Sequence, residues 1–106
     1  MLKIKNTVTG DELQVADNDF SEGMNWEQAK KRCSELGSGW RLPTKEELKA
    51  MYDQLYMKGK GNFENDLYWS STETTNSYAM GQDFMNGIQQ NFLTRFPFLV
   101  RAVRDL

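Results

Sequence analysis

The spacing of apolar positions changes period along the chain, and each change marks an element. Residues 2 to 16 alternate as two short strands, Leu2 to Val8 and Leu13 to Ala16, with Thr9-Gly10-Asp11 supplying turn chemistry between them. An N-terminal hairpin is the simplest reading. Asp17 to Gly23 is polar and turn-forming, with Phe20 as its apolar anchor. The period then becomes helical. Asn25 and Gln28 have capping-box spacing, and Trp26, Ala29, Cys33 and Leu36 follow at intervals of three and four. This predicts an amphipathic helix over about 26–36, ended by Gly37.

Thr44 and Glu47 repeat the capping signal, and Pro43 disfavours helix at Leu42. A second helix should run from Lys45 to near Met57, with Leu48, Met51, Tyr52, Leu55 and Tyr56 on one face. Beyond Asp66 four segments favour strand: Leu67 to Thr72, Tyr78 to Met85, Ile88 to Thr94 and Phe98 to Arg104. Asn86-Gly87 predicts a two-residue hairpin turn that pairs Met85 with Ile88, Phe84 with Gln89 and Gln82 with Asn91. Pro97 interrupts pairing near residue 96. The expected fold class is α+β, with two helices flanking one antiparallel sheet and an N-terminal hairpin, in a single domain over residues 1–106.

Composition narrows the chemistry. The chain has no His, which removes imidazole as base and as metal ligand, and with it Ser-His and Cys-His catalysis and most zinc sites. One cysteine, Cys33, excludes an intrachain disulfide. A net charge of -2 offers no basic surplus for a nucleic-acid backbone, so nucleic acid is not expected as a partner. Met1 to Lys5 is not followed by an apolar stretch of signal-peptide length, and no segment approaches a membrane span.

The segments MNWEQAKKRCSELGSGWRLPTKEELKAMY (24–52), YWSSTE (68–73) and LVRAVRDL (99–106) resemble a set of bacterial domains of C-type lectin-like fold. They are similar to the family of the C-terminal domain of the Legionella collagen-like adhesin, whose members share W-x-x-A-x-x-x-C, G-W-R-L-P-T-x-x-E-L, Y-W-S-S-T and V-R-A-V-R. The RLPT segment also resembles the formylglycine-generating enzymes, whose active-site cysteine pair one cysteine cannot supply. The resemblance implies a binding domain that is cell-surface, secreted or phage-associated. Related lectin-like proteins diversified by retroelements carry a hypervariable binding stretch before V-R-A-V-R, a place occupied here by residues 90–98.

Among possible catalysts, Ser70-Ser71 lacks a His, Glu46-Glu47 suits a helix N-terminus, and Cys33 lies on an apolar helix face. The Glu-Pro-Asn and Gln-Pro-Asp motifs of calcium-dependent sugar binding are absent, and Glu64-Asn65-Asp66 reads as a solvated loop, so no metal or other cofactor is expected. Arg41 and Arg104 read as ties to loop carbonyls or to a carboxylate such as Glu47. The stretch from Tyr78 to Phe98 interleaves aromatics with amides. Tyr78, Met80, Gln82, Gln90, Phe92, Leu93, Arg95, Phe96 and Phe98 are therefore the candidate contacts for a protein or glycan ligand. The alternatives are a structural domain that assembles into a homo-oligomer or larger complex through residues 92–98, and a degenerate relative of the formylglycine-generating enzymes.

Overall fold

A computed structural model describes all residues from Met1 to Leu106. Two helices and six strands form two antiparallel sheets, an α+β fold consistent with a lectin-like domain. The first sheet joins β1 (Leu2–Lys5), β2 (Glu12–Val15) and β6 (Val103–Asp105) in the order β1-β2-β6. The second joins β3 (Leu67–Thr75), β4 (Tyr78–Asp83) and β5 (Gln89–Leu93) in that order. The expected antiparallel sheet with an N-terminal hairpin is present, with the hairpin extended by β6 into a sheet of its own. Two apolar clusters form the core: Ile4, Leu13, Val15, Leu48, Met51, Tyr68 and Phe84 in one, to which both sheets contribute, and Trp26, Ala29, Cys33, Trp69, Ala79 and Val100 in the other.

Both helices begin as their spacing predicts. In α1 (Trp26–Ser34) Asn25 and Gln28 cap reciprocally, and in α2 (Lys45–Gln54) Thr44 and Glu47 do the same. Trp26 pins α1 to β3 by donating its indole N–H to the Ser70 carbonyl at 2.8 Å. The ends are shorter than predicted. Leu36 lies past α1 and is exposed, and Tyr56–Lys58 tightens into a 3-10 turn.

Three strand predictions are corrected by hydrogen bonds of particular residues. β1 stops at Lys5 because the Asn6 side chain takes the N–H groups of Val8 (2.9 Å) and Thr9 (3.4 Å), folding the chain back. The β4–β5 loop has five residues rather than two, and Gln82 pairs with Gln89 instead of Asn91. Here Phe84 is drawn fully into the core, Asn86 uses its side chain to accept from the Ile88 N–H, and only Gly87 has positive φ. The segment Phe98 to Ala102 is a seam between the sheets. Phe98 bridges Met24, Leu99 bridges Tyr68, and the carbonyls of Val100 and Ala102 accept from Phe20 and Ala16.

The seam contains the feature most important to packing that the sequence reading did not single out. Arg101 is fully buried and reaches Asp19 at 2.8 Å, while also donating to the carbonyls of Ala16, Gly61 and Asn62. Its guanidinium lies 4.0 Å from the Phe63 ring centroid. Arg41 makes the predicted carboxylate tie, a two-pronged bond to Glu47 at 2.7 and 2.9 Å, and Glu47 holds the guanidinium pKa above its ordinary value. Arg104 bonds the Gln14 amide oxygen and covers the half-buried Trp40 ring instead.

Candidate functional site

The β3–β4–β5 sheet is covered unequally on its two faces, and this asymmetry builds the site. Alternation sends Trp69, Ala79 and Phe92 to one face, where they join the second apolar cluster. The opposite face carries Tyr68, Gln82 and Gln89 at one end and Tyr78, Met80, Asn91 and Leu93 at the other. Helix α2 seats on the first end. Gln89 donates to the Lys45 carbonyl at 2.7 Å, and the Tyr52 ring lies so close to Gly87 that an added Cβ would meet it at 2.8 Å. At the other end Tyr78 remains 40% exposed beside half-exposed Met80 and Leu93.

The candidate contacts separate on this geometry. Tyr78, Met80 and Leu93 lie on the open end, exposed Gln90 sits on β5, and exposed Arg95 follows the strand. Ser77, Leu93, Thr94 and Arg95 line a shallow depression of about 310 Å³. Gln82 is fully buried, with its amide bonded to the Gly87 carbonyl and to Gln89, so its side chain has no surface for a ligand. Phe92, Phe96 and Phe98 are half-buried against the second cluster, in contrast to an outward-facing aromatic patch. Phe98 packs 4.6 Å from Trp69 and 4.9 Å from Phe92, centroid to centroid.

Ser70, the Glu64–Asp66 loop and Cys33 are held within the fold. Ser70 is fully buried and donates to the Met80 carbonyl at 2.6 Å. In the Glu64–Asp66 loop the Glu64 N–H donates to the Tyr68 hydroxyl, and Asp66 accepts from the Leu67 N–H. No three His, Cys, Asp or Glu side chains converge as a metal site. Cys33 has no exposed surface, and burial pushes its thiol up to about 12. Iodoacetamide at neutral pH should therefore leave the folded chain unmodified by mass spectrometry and alkylate it once after denaturation. Rapid native alkylation would contradict the buried placement.

A second concavity, of about 320 Å³, lies between the Phe20–Met24 loop and α1, where Glu22 and Glu35 face Lys31 and Arg32. The sequence reading missed it because its walls come from a loop and a helix face that looked independently solvated. The loop is held close to the seam. An added Cβ at Gly23 would meet the Pro97 carbonyl oxygen at 2.7 Å, so glycine permits the approach.

This α+β arrangement is similar to a chain in a solved structure titled "The von Willebrand Factor mutant (I546V) A1 domain-botrocetin Complex". The TM-score is 0.56 at 14% identity, over 92% of each chain, a likeness of fold alone. Residues 6–104 match the family described as the Lcl C-terminal domain, and the chain belongs to that family. Comparison with curated proteins finds no significant match.

Proposed function

We propose that this domain is a non-enzymatic recognition module that binds a protein or glycan without metal, through the open end of the β3–β4–β5 sheet and its flanking segments. The supporting observation is the uncovered stretch of sheet face bearing Tyr78, Met80 and Leu93, bordered by Arg95. A large aromatic, a flexible thioether, an aliphatic side chain and a guanidinium suit a small interface whose energy is concentrated in a few anchors. Phe92, Phe96 and Phe98 support this surface from below. Family membership supports a binding domain of a surface or secreted protein. The similar solved structure is itself a complex of two proteins by its title.

The test is binding of the purified domain to glycan and surface-protein arrays, with and without a chelator, followed by titration of the strongest hit. Tyr78→Ala, Leu93→Asp and Arg95→Ala should each weaken binding about tenfold or more, corresponding to about 1.4 kcal/mol or more. Chelation should change nothing. Unchanged affinity in all three folded variants, or binding abolished by chelation, would refute the reading.

A further inference from the structure

Three of the four outer sheet edges are guarded or sealed. β1 carries exposed Lys3 and Lys5, and the Lys5 backbone both donates to and accepts from the Gln54 side chain, at 2.9 and 2.7 Å. β6 is sealed where Val103 exchanges both backbone bonds with Arg41, at 2.9 and 2.8 Å. β3 is sealed by Leu99, which accepts from Trp69 and donates to Leu67, each at 3.0 Å. The remaining edge is β5.

Bonds at either end of β5 reveal which of its backbone groups are free. Asp83 donates to the Ile88 carbonyl at 3.0 Å, and Thr94 donates to the Ser77 carbonyl at 2.9 Å. Antiparallel alternation then turns the backbone of Gln90 and Phe92 toward β4, and that of Gln89, Asn91 and Leu93 outward. The Leu93 carbonyl accepts from Phe96 at 3.1 Å; the other outward N–H and C=O groups have no partner outside the strand ladder. The strand reads Gln-Gln-Asn-Phe-Leu, with no charge or proline, and its register with β4 has no bulge. It lacks the devices that commonly prevent edge-to-edge pairing.

We infer that β5 pairs antiparallel with β5 of a second copy of this chain, about a two-fold axis at Asn91, merging two sheets into one. The outward residues are symmetric about Asn91. Asn91 opposes itself and Gln89 opposes Leu93, so each free N–H meets a carbonyl. The Leu93 carbonyl uses its second lone pair. No like charges are opposed: Arg95, the nearest charged residue following β5, is carried opposite Gly87 of the second copy. Neutral, self-complementary edges favour an identical strand as the occupant. The pairing does not rest on the recognition reading: it uses the backbone of the sheet edge, leaves Tyr78 and Met80 open, and sets Gln89 and Gly87 of the second copy beside Leu93 and Arg95.

Sedimentation equilibrium from about 10 μM to about 1 mM provides the test. The average mass should rise from 12.3 kDa toward twice that value. Asn91→Pro removes an outward N–H without removing a bond to β4, and Asn91→Lys places two ammonium groups across the axis. Each should weaken dimerisation at least tenfold while circular dichroism shows the native fold. Leu36→Asp, an exposed apolar site outside the strand, should not affect it. As concentration rises, hydrogen exchange should slow at the amides of Gln89, Asn91 and Leu93, while Gln90 and Phe92 remain protected throughout. A chain monomeric at every concentration, or a dimer retained by both Asn91 variants, overturns the inference.

Discussion

Replacing Arg101 with methionine is expected to lower unfolding free energy by about 3–5 kcal/mol, a large part of the total for a domain of this size. The side chain is fully buried, and removing it leaves Asp19 with the Tyr68 hydroxyl as its remaining side-chain donor. It also strips a donor from the carbonyls of Ala16, after β2, and of Gly61 and Asn62, before β3, two segments that the guanidinium joins. Asp19→Asn should also destabilise, because it puts an NH2 group in place of one of the two oxygens that accept from Arg101 and from the Tyr68 hydroxyl, while the double variant should cost less than the sum. Urea denaturation tests this: the midpoint should fall with the slope unchanged, and a loss below about 1 kcal/mol would contradict the central role of the pair.

The same pair makes a prediction with pH. Burial raises the Asp19 pKa above its ordinary value of 3.8, outweighing the Tyr68 hydrogen bond and the attraction of Arg101. The folded chain therefore binds this proton more tightly than the unfolded chain. Asp19's contribution to stability declines as pH rises from the unfolded value through the raised one, and is level above it. Comparing unfolding at successive pH values should show that component in the parent and not in Asp19→Asn. An Asp19-dependent component rising with pH would contradict the direction.

The elements that were legible in the sequence are those determined by neighbours in the chain. Asn25 with Gln28 and Thr44 with Glu47 specify helix starts because their bonds span three residues. The Arg41–Glu47 tie was similarly accessible, being six residues apart in a recognisable segment. The turn at Asn86-Gly87 departs from its local preference because that preference yields to burial of Phe84, whose neighbours Tyr52, Tyr56, Phe63 and Tyr68 come from other elements. Phe98 to Ala102 looked like a strand because its residues are apolar. Its backbone partners are scattered from residue 16 to residue 69, which periodicity cannot reveal.

The candidate surface divides on the same principle. Period-two alternation separates Phe92 from Leu93, but cannot specify which side faces the core or that α2 covers only one end of the outer face. Those facts depend on Trp69 and Ala79 filling one side and on α2 meeting Gly87 and Gln89 on the other. Gln82 looked like binding chemistry because an amide in a strand has no sequence mark of burial. The structure uses both ends of that amide to hold Gly87 and Gln89 together.

Trp69 connects fold stability to the candidate surface, and its substitution should have an effect comparable to loss of Arg101. The indole is fully buried, and its N–H donates to the Met24 carbonyl at 2.9 Å and to the Phe96 carbonyl at 3.3 Å. One ring thus underlies the segment beneath the recognition surface and joins it to the loop before α1. Trp69→Ala should cost about 3–5 kcal/mol through lost packing and a cavity among Met24, Val100 and Phe98. Trp69→Phe retains most of the apolar contact but removes the donor, so it should cost less while leaving the Phe96 carbonyl without the indole and the Met24 carbonyl with only the Phe98 N–H. Urea midpoints measure the two losses, and hydrogen exchange locates them. In Trp69→Phe the Met24 and Phe98 amides, which bond each other's carbonyls at 2.9 and 3.2 Å, should exchange faster, while the Val15 and Leu13 amides change little. Uniform acceleration across both sheets would mean that the indole N–H supports the whole fold rather than this segment.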